Sequence, residues 1–170
     1  FSIYSDNHDN IWIGCYGGGL NLLQQTPEGK AYFINHRNKL QNYPFSTCHN
    51  IRYITGTENG ILLVGTTFGL VTFSNDFAQP EEIKFYRNIQ NRNRPSSLTG
   101  NDIMHIYQNS HKDIYVLTFT GGVNKITSRT LLSENIEFQY YTEQEGLGSD
   151  MVLSMICLLY TSPSPRDTER

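Results

Sequence analysis

The stretch "NIWIGCYGGGLN" (Asn10–Asn21) joins an apolar run to a run of glycines and then turns apolar again. Glycines in such a setting cradle a phosphate when they lead from a strand into a helix, and turn a hairpin when they lead into another strand. Two other parts of the chain decide between these. "HDNIWIGCYGGGLNLL" from His8, "NGILLVGTTFGLVTF" from Asn59 and "KDIYVLTFTGGVNKI" from Lys112 align without internal gaps, placing Gly14, Gly65 and Leu117 at one position. The period is about 50 residues. Upstream of each lies an apolar pair ending at Ile3, Ile54 and Ile106. A fourth unit is expected to open at "SDMVLSM" (Ser149–Met155), which echoes "GNDIMHI" (Gly100–Ile106). A loop that recurs in every unit, and in the others without the full glycine run, is a structural hairpin and not a phosphate cradle.

Each unit reads as short strands separated by turns. In the third, "DIMHIYQ" (Asp102–Gln108), "IYVLTF" (Ile114–Phe119), "VNKI" (Val123–Ile126) and "IEFQYYT" (Ile136–Thr142) are strands. "NSHKD" (Asn109–Asp113) and "TGG" (Thr120–Gly122) are turns rich in residues that tolerate left-handed backbone. No window carries a helical apolar period, so almost no helix is expected. Four antiparallel strands recurring at this period predict an all-β fold, a β-propeller fragment of about three four-stranded antiparallel blades. A single blade has two apolar faces and buries neither alone; stacking blades buries both. A β-sandwich is the alternative, but it gives no reason for one motif to recur. The expected units are 1–47, 48–98 and 99–147, with the start of a fourth over 148–156, together a partial propeller over 1–156.

The tail "CLLYTSPSPRD" (157–167) reads codon by codon as a translated transposase sequencing adapter, so 157–170 is expected to be an artefact and not native chain. A Ser/Pro-rich linker is the other reading. Without the tail, Cys15 and Cys48 remain, which gives neither a disulfide framework nor metal-ligand spacing. The net charge of -3 argues against electrostatic capture of nucleic acid. No apolar run approaches the roughly 18 residues that span a bilayer.

The motifs "DNIWIGCYGGGLNLL" (Asp9–Leu23), "PSSLTGNDIMHI" (Pro95–Ile106) and "YYTEQEGLGSDMVLSM" (Tyr140–Met155) resemble the two-component regulator propeller repeat, in both the strand motif and the blade-to-blade linker. The chain departs from that pattern at Cys15, usually Thr, at Leu63 and Tyr115, which stand in register with Trp12, and at Leu117, which replaces Gly. The resemblance implies the periplasmic sensor region of a hybrid two-component histidine kinase of the Bacteroidetes type. It implies further blades and downstream receptor domains on the same chain, an inner-membrane receptor that can pair as a homodimer, and an oligosaccharide or other small-molecule ligand whose binding regulates transcription. The kinase would lie outside these residues, so the segment itself is expected to be non-enzymatic, without cofactor, catalytic residue or metal site. The alternatives are a fragment of a propeller enzyme (a lyase or glycosidase) or a non-catalytic protein-interaction propeller.

Hairpins and linkers of a blade open on one face of the disc. The hairpins contribute Tyr16, Phe68 and Phe119, and the linkers His49, Asn101 and Asp150. Aromatic platforms with directed polar neighbours suit a sugar; taken singly, each aromatic is first expected to cover a blade end. Trp12 is expected to pack between blades. His8 and His111 occupy corresponding turns and read as solvated, and "RNIQNRNR" (Arg87–Arg94) reads as a solvated outer-edge loop, with an anion or partner site as the alternative. The turn carboxylates Asp6, Asp9, Asp102 and Asp113 support no acid–base pair from sequence alone.

Overall fold

The computed structural model describes residues 2–156; the adapter reading of 157–170 lies outside them. Three four-stranded antiparallel sheets follow one another along the chain, each a simple meander. Blade 1 is β1 (Ser2–Ser5), β2 (Ile11–Cys15), β3 (Gly19–Gln25) and β4 (Ala31–Ile34). Blade 2 is β5 (Ile51–Gly56), β6 (Ile61–Thr66), β7 (Gly69–Ser74) and β8 (Tyr86–Asn88). Blade 3 is β9 (Ile103–Gln108), β10 (Ile114–Thr118), β11 (Val123–Ile126) and β12 (Phe138–Tyr141). The first strands β1, β5 and β9 are neighbours in space, so the blades stack as an arc of a β-propeller. Among the described residues helix is confined to a single turn, α1 (Phe45–Cys48), and two 3-10 turns, Pro80–Glu82 and Glu143–Glu145.

The repeat register is visible in the ladders. Ile3 pairs with Ile13, Ile54 with Val64 and Ile106 with Val116, so the apolar pairs of the three units occupy one structural position. The gap-free alignment fails only in the hairpins. Cys15 pairs with Gly19 across a three-residue loop, whereas Thr66 pairs with Gly69 across two residues. Phe68 is therefore the second residue of its loop, while Tyr16 and Phe119 are the first of theirs. Gly69, which opens β7, and Gly122, just before β11, take φ of 114° and 69°, backbone that other residues rarely adopt. Ser149–Met155, expected to open a fourth unit, forms no strand, because it has no strand to pair with among the described residues.

Residues paired across a ladder share a face, and alternate pairs face opposite ways. One face of blade 1 (Trp12, Leu20, Leu22, Ile34) packs on Ile54, Leu62, Val64, Val71 and Phe73 of blade 2. The other face of blade 2 (Leu63, Leu70) packs on Ile106, Ile114, Val116, Ile126 and Phe138 of blade 3. Trp12 is fully buried with its ring edge-on to Phe73 and Phe77, as the alternation of β2 predicts. The far face of blade 1 leaves Ile3 73% exposed and Phe33 49% exposed. Glycine in the second strand lets the next blade come close: a Cβ at Gly14 would lie 2.4 Å from Ile51 Cγ2, and one at Gly65 would lie 2.7 Å from Ile103 Cγ2.

The turn joining the first two strands is the same in every blade. Asp6, Thr57 and Asn109 begin it, each bonded through its backbone N–H to the carbonyl four residues on, and Asp9, Gly60 and Lys112 take positive φ at its fourth position. Asp6 does more than its counterparts. Its carboxylate accepts from the backbone of His8 and Asn10, from Asn10 Nδ2 at 3.0 Å and from Trp12 Nε1 at 2.9 Å. Burial pushes the Asp6 carboxyl up, but the hydrogen bonds from Trp12 and Asn10 outweigh it and hold it below its ordinary value. A depressed carboxylate contributes stability that is present above its unfolded pKa, about 3.9, and lost as pH falls through the lower folded value. Emission of Trp12, the only tryptophan, is therefore expected to hold steady on acidification to about pH 4 and shift red below it. Asp6→Ala should remove about 1 to 3 kcal/mol, since it strips the buried indole N–H of its acceptor. A urea midpoint unchanged by Asp6→Ala would contradict this.

Candidate functional site

The three hairpins and the blade-to-blade linkers gather at one end of the strands, and a repeated backbone bond holds them there. Gly19 N–H donates to His49 O at 2.9 Å, Gly69 N–H to Asn101 O at 2.7 Å and Gly122 N–H to Asp150 O at 2.8 Å. The next carbonyl of the first two linkers serves the following blade: Asn50 O accepts from Thr67 N–H and Asp102 O from Phe119 N–H. Two successive carbonyls thus tie two successive hairpins. This brings the six residues singled out from sequence to one face.

They are not equivalent there. Tyr16 is 52% exposed, Phe68 is 44% exposed, and Phe119 is half-buried. The linker side chains are turned to local backbone. Asn101 Oδ1 accepts from Gln90 N–H and Asp150 Oδ1 from Glu143 N–H, both at 2.7 Å, in matching positions after the fourth strand of each blade. His49 Nδ1 lies 3.2 Å from Phe45 O, and its ring leans on Phe45, whose other neighbour is the stacked ring of His36. The linkers shape the face, and the hairpin aromatics project from it.

Sequence reading missed Arg52 and took Arg87 for part of a solvated loop. The Arg52 guanidinium lies 5.9 Å from the Tyr16 ring centre, and Arg87 lies 5.6 Å from that of Phe68. Arg52 also forms a forked pair with Asp102, Nε to Oδ1 at 2.8 Å and Nη2 to Oδ2 at 3.1 Å. Those bonds push its pKa further up, so its charge is fixed. Tyr16, Arg52 and Asp102 come from blades 1, 2 and 3, so a single chain of contacts crosses the whole arc. No spacing rule could have found it, since Arg52 and Asp102 lie one full repeat apart. The expected solvated loop over Arg87–Arg94 holds for Arg92, which is exposed. Arg87 instead bonds Thr47 Oγ1 beside Phe68, and Arg94 donates to Asn135 Oδ1 at 2.8 Å, because the 127–137 segment folds back over blade 2.

The remaining titratable residues are dispersed. His8 and His111 are exposed in corresponding turns. His105 faces Tyr53, and burial lowers its pKa. Asp113 bonds Asn109 and Lys125. No cluster of three His, Cys, Asp or Glu able to hold a metal occurs among the described residues. None of the six hairpin-face candidates lines the cavity of about 360 Å³ between blades 2 and 3, which opens at the opposite end of the strands.

No family model matches the chain, and no curated protein matches it. Solved structures do. The chain is similar to the extracellular domain of BT3049 from B. thetaiotaomicron, assigned as a hybrid two component system, with 18% identity and a TM-score of 0.68 over 90% of this chain. It is also similar to the extracellular domain of BT4673 from the same organism, assigned as a one component system, with 18% identity and a TM-score of 0.62 over 92% of this chain. The likeness is one of fold. The chain spans 20% of the length of each of these structures. No helix among the described residues is long and apolar enough to cross a membrane.

Proposed function

We propose that this chain is a segment of the ligand-sensing propeller of an extracytoplasmic receptor of the two-component type, with the hairpin face as its ligand side. The observation that carries this reading is the fold shared over 90% of the chain with the extracellular domain of a hybrid two component system. The repeat resemblance points the same way. The ligand is an oligosaccharide. Exposed Tyr16 and Phe68, each steadied by an arginine, offer sugar rings flat apolar platforms, with Phe119 at the third hairpin. His49, Asn101 and Asp150 set the spacing of those platforms through their backbone carbonyls. The segment does no chemistry. It biases a receptor between arrangements by binding one of them better, and the signal passes to periplasmic and membrane-spanning parts of the same receptor, in a homodimer, that lie beyond these residues. It makes no contact with nucleic acid.

The test is calorimetric titration of the chain with a panel of neutral and acidic oligosaccharides. At least one is expected to bind saturably, and Tyr16→Ala should weaken it about three- to tenfold, the effect of losing one aromatic contact. Absence of binding across the panel, or binding indifferent to Tyr16→Ala and Phe68→Ala together, would overturn the reading.

A further inference from the structure

We propose a second site, in the cleft between blades 2 and 3 at the end of the strands away from the hairpins, for small carboxylates with an apolar body. The cleft exists because the 127–137 segment is pinned as a wedge. Fully buried Thr72 donates through Oγ1 to Leu131 O. Fully buried Asn88 donates to Ser133 O at 2.7 Å and accepts from Ile136 N–H at 2.8 Å. These bonds fix Leu131 against blade 2 and leave about 360 Å³ beside it. That volume falls within the range of roughly 300–1,000 Å³ found for small-molecule sites.

Its chemistry is divided. Ile61 of blade 2 and Ile114, Ile126 and Leu131 of blade 3 supply aliphatic surface. The rim is charged, and most of that charge is matched. Glu58 pairs with Lys112 across the two blades, and Asp113 pairs with Lys125 at 3.0 Å. Arg129 also lines the cleft and makes no hydrogen bond or ion pair among the described residues. The matched pairs leave one exposed guanidinium on the rim of a cleft whose lining is partly aliphatic. A guanidinium presents a planar fork that fits a carboxylate with two parallel hydrogen bonds. A neutral apolar molecule would use only the aliphatic lining and a bare anion only the rim. A carboxylate on an apolar body uses both, and contacts two blades at once.

Titration calorimetry of the full chain with 3-phenylpropanoate and with the alcohol 3-phenylpropanol separates the contributions. The acid is expected to bind with a Kd of about 1 mM or tighter, and the alcohol about tenfold more weakly. Arg129→Gln should bring the acid to the level of the alcohol. Because Arg129 holds nothing else in place, the variant should unfold at the temperature of the parent chain. Tyr16→Ala, at the far end of the strands, should leave acid binding unchanged. Equal affinity for acid and alcohol, acid binding that survives Arg129→Gln, or no saturable binding of the acid up to about 20 mM would each overturn the proposal.

Discussion

Trp12→Ala is expected to lower stability by about 3 to 5 kcal/mol, the range for truncating a buried aromatic side chain. Trp12 is fully buried between blades 1 and 2, with ring centres of Phe73 and Phe77 at 4.9 and 6.2 Å. Its removal opens a void that the ladders on either side cannot collapse into without shifting register. It also takes from the Asp6 carboxylate its indole donor. Trp12→Phe keeps most of the packing and loses that bond, so it should cost less, about 1.5 to 3 kcal/mol, the range for a hydrogen bond to a charged group. Urea unfolding followed by far-ultraviolet circular dichroism, which does not depend on the indole, reads both. A Trp12→Ala chain with the midpoint of the parent would refute the assignment of Trp12 to the blade junction.

The second large effect comes from adding atoms. Gly65→Val should destabilise by about 1 to 3 kcal/mol or more, since overpacking forces backbone or rotamer shifts. The first added carbon already falls 2.7 Å from Ile103 Cγ2 and 3.1 Å from Ile103 Cβ, with Ile106 Cδ1 at 3.6 Å. Shortening the opposing residue should return part of the loss, so Gly65→Ala combined with Ile103→Ala should be less unstable than the sum of the single changes. The third blade departs from the pattern at both positions. Leu117 fills the glycine position and is itself fully buried. The residue in register with Ile51 and Ile103, judged by the Gly122 to Asp150 bond, is the smaller Val152. Strict additivity in the double-mutant cycle would show that the two side chains do not compete for space.

The repeat made most of the fold legible. Alternation and the about 50-residue period placed every strand of blade 3 within a few residues, and identified Trp12 as a packing residue. Local chemistry made the turns legible, because Asx turns and positive φ depend on a few adjacent residues. What stayed hidden depends on the angle between blades, which no period encodes. Arg52 meets Asp102, and Asn88 meets Ser133 and Ile136, only because adjacent sheets stack with one particular tilt. The one-residue difference among the hairpins was hidden for another reason. Glycines crowd Gly17–Gly19, so a gap-free match looked as good as the true one. For the candidate face, sequence named the aromatics but not Arg52, and gave Arg87 no place beside Phe68.

The alternation of blade faces has a consequence for assembly. Every junction joins the Trp12-type face of one blade to the Ile54-type face of the next, so the contact is heterologous and never like on like. Contacts of that kind have a direction, as links in a chain do, and they end either in a ring or in an open run. The arc therefore has a head, where Ile3 and Phe33 await a predecessor, and a tail, where Tyr107 and Tyr115 share the opposite sort of face. A neighbour can add at either end, but only in one orientation.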